Sequence, residues 1–152
     1  MPRYFYEVEL EHQGRPGVVT NLPKRGTKKS AGYDFYTKQD IYLHPGESCR
    51  VPLDVGAVMP DNQFLDMRLR SSIGFNQPGV FLSNSAAVID ADFSHNPKND
   101  GNITLSIINL SGAPFIVNEG DRVAQGIFVN YYTTDDDDAT EERVGGGGST
   151  GK

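Results

Sequence analysis

Glycine and proline interrupt this chain so often, seventeen and nine times, that no stretch keeps the clean 3.6-residue apolar period of a long helix. Between the interruptions the pattern is alternation. Residues 4–10 alternate before a polar turn region; Leu65, Met67 and Leu69 alternate with Asp66, Arg68 and Arg70; Ile103, Leu105 and Ile107 alternate with Thr104, Ser106 and Ile108. Successive side chains of a strand point to opposite faces, so each run predicts a strand with one buried face. Further strands are predicted over 41–43, 48–58, 80–82, 115–117 and 123–132. Turn signals such as Pro45-Gly46, Pro60-Asp61-Asn62 and Asn118-Glu119-Gly120 separate them. Many short strands at close spacing imply an all-β sandwich or barrel and argue against a βαβ fold.

A chain of 152 residues is long enough to bury one real core without disulfides or a structural metal. Cys49 is the single cysteine. It allows no intramolecular disulfide and no Cys-rich zinc site, fits a reducing compartment, and reads as a small packing residue. The start, Met1-Pro2-Arg3-Tyr4-Phe5-Tyr6, has no apolar signal core, and no run reaches the length of a membrane span, so a cytoplasmic protein is expected. A formal net charge of -6 argues against a general nucleic-acid binder, because phosphate-backbone binding needs clustered Lys and Arg. A local pocket of arginines, hydroxyls and amides can still hold a small polyanion, above all with a divalent cation present.

The pattern divides near Tyr132, giving a β domain over 1–132 and an arm over 133–152. Val144 is the only large apolar residue of the arm, so it builds no core of its own. Asp135 to Asp138, with Glu141 and Glu142, read as a solvated, self-repelling linker. Four consecutive glycines from Gly145 lower the barrier to positive φ, so successive amides can converge on an anion, with Ser149 and Thr150 adding hydroxyls. The same composition also reads as a plain Gly/Ser linker.

Four further segments carry chemistry. Val88-Ile89-Asp90-Ala91-Asp92-Phe93 is expected to put two carboxylates on one side of an extended segment, where one serves as a general base or both simply form a turn. Arg70-Ser71-Ser72-Ile73-Gly74 reads as a strand end offering a guanidinium, two hydroxyls and a glycine. Ala31-Gly32-Tyr33-Asp34 is a small-residue turn followed by a carboxylate. Gly120-Asp121-Arg122-Val123-Ala124-Gln125 is a charged strand entry.

In that order, and closed by Arg143 with the Gly145 to Gly151 run, the five blocks resemble the trimeric dUTPase family from about residue 31 onward. The resemblance implies a distorted jelly-roll-like β-barrel or sandwich with a flexible arm that closes the active site. It implies a homotrimer with sites at subunit interfaces, a tail closing a neighbour's site, and Mg²⁺-assisted hydrolysis of dUTP to dUMP and pyrophosphate. That reaction limits uracil incorporation into DNA and supplies dUMP for dTMP synthesis. Residue by residue, Asp90 matches the general base and Asp34 the carboxylate that meets Mg²⁺ through water. Arg70, Ser71, Ser72, Gln125, Arg143, Ser149 and Thr150 match phosphate contacts. Asn84, in a hairpin, matches the position whose backbone reads uracil, and Ala87, Ile89 and Phe93 fall in the uracil and deoxyribose pocket. No nucleic-acid or membrane partner is implied, and the cytoplasm would be that of a bacterium or of a phage or virus host.

There are departures. Phe93 stands where the family commonly has tyrosine, the family usually lacks a segment like Ser94 to Asn102, and Gly147 stands where an aromatic usually stacks on the base. A second reading follows from the insertion: a regulatory or interaction protein that uses this fold and the 94–102 loop to bind another protein. A third is the related dCTP deaminase, against which Asp90 within Val88-Ile89-Asp90 argues.

Overall fold

The computed structural model describes residues 2–145. Its strands are β1 (Tyr4–Glu7), β2 (Lys24–Arg25), β3 (Tyr33–Tyr36), β4 (Ile41–Leu43), β5 (Ser48–Pro52), β6 (Val55–Val58), β7 (Gln63–Leu69), β8 (Val80–Leu82), β9 (Ala87–Asp90), β10 (Thr104–Asn109), β11 (Phe115–Val117) and β12 (Arg122–Asn130). One short helix, α1 (Ser71–Asn76), and single 3-10 turns at Leu10–His12 and Ala91–Phe93 interrupt them. Four antiparallel sheets result, in the orders β1-β6, β5-β10-β8, β11-β4 and β2-β3-β12-β7-β9. They pack in a jelly-roll-like arrangement and do not close into a barrel.

Alternation sets which faces meet. Leu65 and Met67 of β7, Leu105 and Ile107 of β10, Val51 of β5 and Phe35 of β3 all point into one core and are almost wholly buried. Burying each such side chain is worth roughly 1.5–3 kcal/mol, which is what holds sheets this small together. Their neighbours Asp66 and Arg68 face out and pair with each other at 3.0 Å.

Four expectations are corrected here. The 48–58 run is not one strand: Asp54, at φ 60, turns the chain so that β5 joins β10 while β6 joins β1. The turn places a carboxylate inside the protein, and every approach to it is a donor. Asp54 accepts from the amides of Gly14 at 2.7 Å and Arg15 at 3.1 Å, from Asn102 Nδ2 at 2.9 Å, and from Lys38 Nζ at 3.0 Å. Burial pushes this carboxyl up, but those four donors more than offset it and hold it below its ordinary value.

The second correction concerns Arg70 to Gly74, where the strand does not simply end. The chain turns from Leu69 into α1, with Arg70 at its N-cap, because Ile73 folds back against the core. The third concerns 88–93. The extended segment stops at Asp90, and the buried ring of Phe93 draws Ala91–Phe93 into a 3-10 turn. Likewise β8 and β9 do not form a hairpin ladder. They belong to different sheets, and the turn between them, with Ser85 at φ 70 and Ala86 N donating to the Asn84 carbonyl at 2.8 Å, crosses from one sheet to the other.

Candidate active site

That crossing opens a pocket. β9 pairs with β7, Leu65 opposite Ile89 and Met67 opposite Ala87, so the strand is fixed along its length and its end presents Asp90 to solvent. A cavity of about 490 Å³ lies beside it, lined by Asn84, Ala87, Ile89, Asp90 and Phe93. The structure therefore brings together every position assigned to the uracil, the deoxyribose and the general base.

Sequence reasoning missed the far wall. Arg50 of β5 and Ser106 of β10 are cross-strand partners, and with Thr104, Asn99 and Asn102 they complete the cavity. The signal was available: Thr104 and Ser106 are the outward partners of buried Leu105 and Ile107, so they share one face of β10.

Arg143 fills the mouth. Its Nη2 donates to Asp90 Oδ2 at 2.6 Å, its Nε to Asp92 Oδ1 at 2.7 Å, and its guanidinium carbon lies 5.9 Å from the centre of the Phe93 ring. The arginine is 10 % exposed, whereas the two carboxylates are more than half exposed. The described part of the arm thus reaches the mouth of this pocket. Ser149, Thr150 and Gly147 lie outside the described residues.

The remaining residues assemble elsewhere. Asp34 on β3 lies opposite Gln125 on β12, and a bulge between Arg122 and Ala124 lets Arg122 Nη1 donate to Asp34 Oδ2 at 3.4 Å. Gly32 packs beside them, close enough that a Cβ there would displace the Gln125 side chain. Arg70, Ser72 and Arg122 line a second cavity of about 340 Å³ with Asp121, and it shares no lining residue with the first. Ser71 is exposed on the first turn of α1. One chain thus carries two half-sites, one of base, sugar and carboxylate positions, the other of arginines, hydroxyls and Asp34.

Among the described residues no three His, Cys, Asp or Glu side chains gather into a metal cage. Asp34 accepts from Arg122 at the edge of the cationic cluster, and a carboxylate there suits Mg²⁺, a hard cation that keeps several waters and takes its other ligands from phosphate oxygens.

An exposed carboxylate at the mouth of a polar pocket, with a guanidinium cluster built on the same all-β scaffold, is an arrangement that suits a small phosphorylated ligand. The dUTPase family model matches residues 19–151. The chain is 38 % identical over 111 residues to the deoxyuridine 5'-triphosphate nucleotidohydrolase of Lactococcus lactis, covering 73 % of each. To the Rickettsia typhi protein of the same name it is 32 % identical over 126 residues, covering 82 % of this chain and 80 % of that one. The crystal structure of the dUTPase from Streptococcus mutans superposes with a TM-score of 0.73 at 32 % identity, covering 87 % of this chain and 98 % of that one. The chain belongs to the dUTPase family.

Proposed function

We propose that this chain hydrolyses dUTP to dUMP and pyrophosphate, working as a homotrimer in the cytoplasm with Mg²⁺, limiting uracil in DNA and supplying dUMP for dTMP synthesis. The observation that carries the reading is Asp90, exposed at the end of β9 beside the cavity of Asn84, Ala87, Ile89 and Phe93.

A nucleoside seated there puts its 5' phosphates at the cavity mouth. Asp90 orients a water for in-line attack on the α-phosphorus and accepts its proton. Phe93 packs against the deoxyribose face and excludes a 2'-hydroxyl without a phenol. The backbone at Asn84 reads the uracil edge, and the turn through Ser85 selects against the methyl of thymine. Arg70, Ser71, Ser72 and Gln125 stabilise charge that moves toward the leaving pyrophosphate, and Arg143, Ser149 and Thr150 hold the γ-phosphate. Mg²⁺, when bound beside Asp34, neutralises phosphate charge. The separation of the two half-sites on one chain supports the trimer, because a second copy's Arg70 cluster completes the first copy's Asp90 pocket. Residues 133–152 act as the arm that closes that site.

The test is pyrophosphate release from each dNTP and from UTP, with and without Mg²⁺. Turnover of dUTP alone, abolished in Asp90→Asn, is the expected result; robust activity of Asp90→Asn would overturn the mechanism.

A further inference from the structure

The 94–102 segment brings to the cavity beside Asp90 a side chain with a donor to spare. Asn99 lines that cavity with Asn84, Asp90 and Phe93. Its Oδ1 accepts from Asn96 Nδ2 at 2.6 Å and from the Gly101 amide at 3.0 Å. Two donors on one oxygen fix which end of the side-chain amide is which, because a nitrogen in that place would face donors only. The Asn99 backbone is engaged too: its amide donates to Asn96 Oδ1 at 3.2 Å, and its carbonyl accepts from the Asn102 amide at 3.1 Å. Among the described residues no acceptor meets Asn99 Nδ2, so its two N–H groups are what this residue has left to offer the cavity. Asn102, on the same wall, is the opposite case. Its Oδ1 accepts from the Asp54 amide at 2.9 Å, and its Nδ2 donates to the His12 carbonyl at 3.0 Å and to Asp54 Oδ1 at 2.9 Å.

Asn99 is held from both sides. The buried Asn96 amide that donates to Asn99 Oδ1 also donates to the Phe93 carbonyl at 2.8 Å, which ties Asn99 to the residue at the end of the β9 segment. On the other side Asp100 stands at φ 54, a left-handed conformation that a non-glycine residue keeps only where its contacts impose it. Those contacts are present: Asp100 Oδ1 lies 2.9 Å from His95 Nδ1, and Asp100 Oδ2 accepts from the Glu9 amide at 2.9 Å.

We infer, on the dUTP reading of this cavity, that Asn99 is a specificity-determining residue whose Nδ2 donates to the 3'-oxygen of the deoxyribose. The base edge falls to the Asn84 turn, ahead of β9, and the phosphates to the cavity mouth. Asn99 belongs to neither place. Through Asn96 it is linked to Phe93, where the sugar packs, and the 3'-hydroxyl is the polar group of a 2'-deoxyribose that the base and phosphate contacts leave unread. A nucleotide without that oxygen covers Asn99 Nδ2 and gives it no acceptor, so the site disfavours it. The segment inserted after Phe93 thus adds selection at the 3' position to a pocket that reads the base at its other end.

The measurement is calorimetric binding of dUMP and of 2',3'-dideoxyuridine monophosphate to the full chain, to Asn99→Ala and to Asn99→Ser. The unsubstituted chain should bind dUMP more tightly than the dideoxy nucleotide, and either substitution should shrink that preference about three- to tenfold, the range of one neutral hydrogen bond. Serine keeps an oxygen that can serve the turn, so Asn99→Ser removes the amide donor with the least disturbance of the segment. A residue that only shapes the cavity would weaken both nucleotides alike and leave their ratio unchanged. A preference undiminished in Asn99→Ser, or equal weakening of the two nucleotides in both variants, overturns the assignment. The underlying reading fails separately, by absence of dUTP turnover in the unsubstituted chain.

Discussion

The Tyr6 hydroxyl donates to the carbonyl of Asp100 at 2.7 Å, tying the first strand to a loop ninety-four positions away. The same oxygen accepts from the His95 amide at 2.8 Å, and the two rings stack with centroids 4.0 Å apart. Gly56 and Gly101 make room for this side chain, since a Cβ at either would strike the Tyr6 ring or hydroxyl, and Gly101 sits at φ +73 besides. The 94–102 segment is thus tied into the fold, and it follows directly on Phe93 in the pocket.

Tyr6→Phe removes the hydroxyl and leaves the Asp100 carbonyl and the His95 amide unmatched. Each lost partner in a half-buried site costs about 1–3 kcal/mol, so urea unfolding should show a destabilisation of about 2–6 kcal/mol for the two. Amide exchange should quicken first at 94–102. Unchanged exchange there would mean that the loop is held by its Asn96 network alone.

The same hydroxyl sets a limit at high pH. Burial, with the Asp100 and Tyr4 charges adding to it, pushes Tyr6 up from 10.0 to about 12, against a smaller opposing contribution from the His95 amide. A group whose folded value is raised contributes stability that is present below its unfolded value and lost as pH rises through the folded one. Stability attributable to Tyr6 should therefore fall between about pH 10 and pH 12. Unfolding curves of the unsubstituted chain and Tyr6→Phe should converge across that window; parallel curves would exclude Tyr6 as the cause.

Much of this was legible in the sequence because period-two alternation reports directly on which face is buried, so β7 and β10 fall where Leu65, Met67, Leu105 and Ile107 placed them. Two of the misreadings share one origin. A strand that changes sheets, as at Asp54 or through Ser85, keeps its apolar pattern across the corner, and nothing local marks the positive φ of a non-glycine residue. The candidate site was readable as blocks and not as geometry. Asp34 and Gln125 become neighbours only through the β3-β12 register, and Arg50 enters the pocket only because β5 lies beside β10.

The buried pair of Lys38 and Asp54 gives a stability prediction independent of the site. The ammonium also donates to Gln13 Oε1 at 2.9 Å and Thr20 Oγ1 at 2.8 Å, so it binds three separate segments. Lys38→Met strands the carboxylate and should cost roughly 3–5 kcal/mol, well beyond the loss of any surface pair. Because Asp54 is held below its ordinary value, its contribution is present above the unfolded carboxylate range and lost as pH falls through the folded value. Acid unfolding of Asp54→Asn should accordingly be shallower than that of the unsubstituted chain. An equal acid slope in both would assign the loss to other carboxylates.

Truncation after Glu142 separates folding from catalysis. Among the described residues, the chain beyond Tyr131 buries little: Tyr132 is 93 % exposed and the acidic run from Asp135 is exposed throughout, while Arg143 is held by Asp90 and Asp92 and Gly145 is buried. Removing 143–152 should therefore leave the melting temperature and the oligomeric state unchanged. The same deletion takes away the arginine, the glycine amides and the hydroxyls assigned to the γ-phosphate, so kcat for dUTP should fall by about 10²–10³, the scale of losing preorganised anion contacts. A truncated chain that turns over dUTP at the original rate would reduce the arm to a linker, and one that lost its oligomeric state would give the arm a structural role that its sparse contacts do not support.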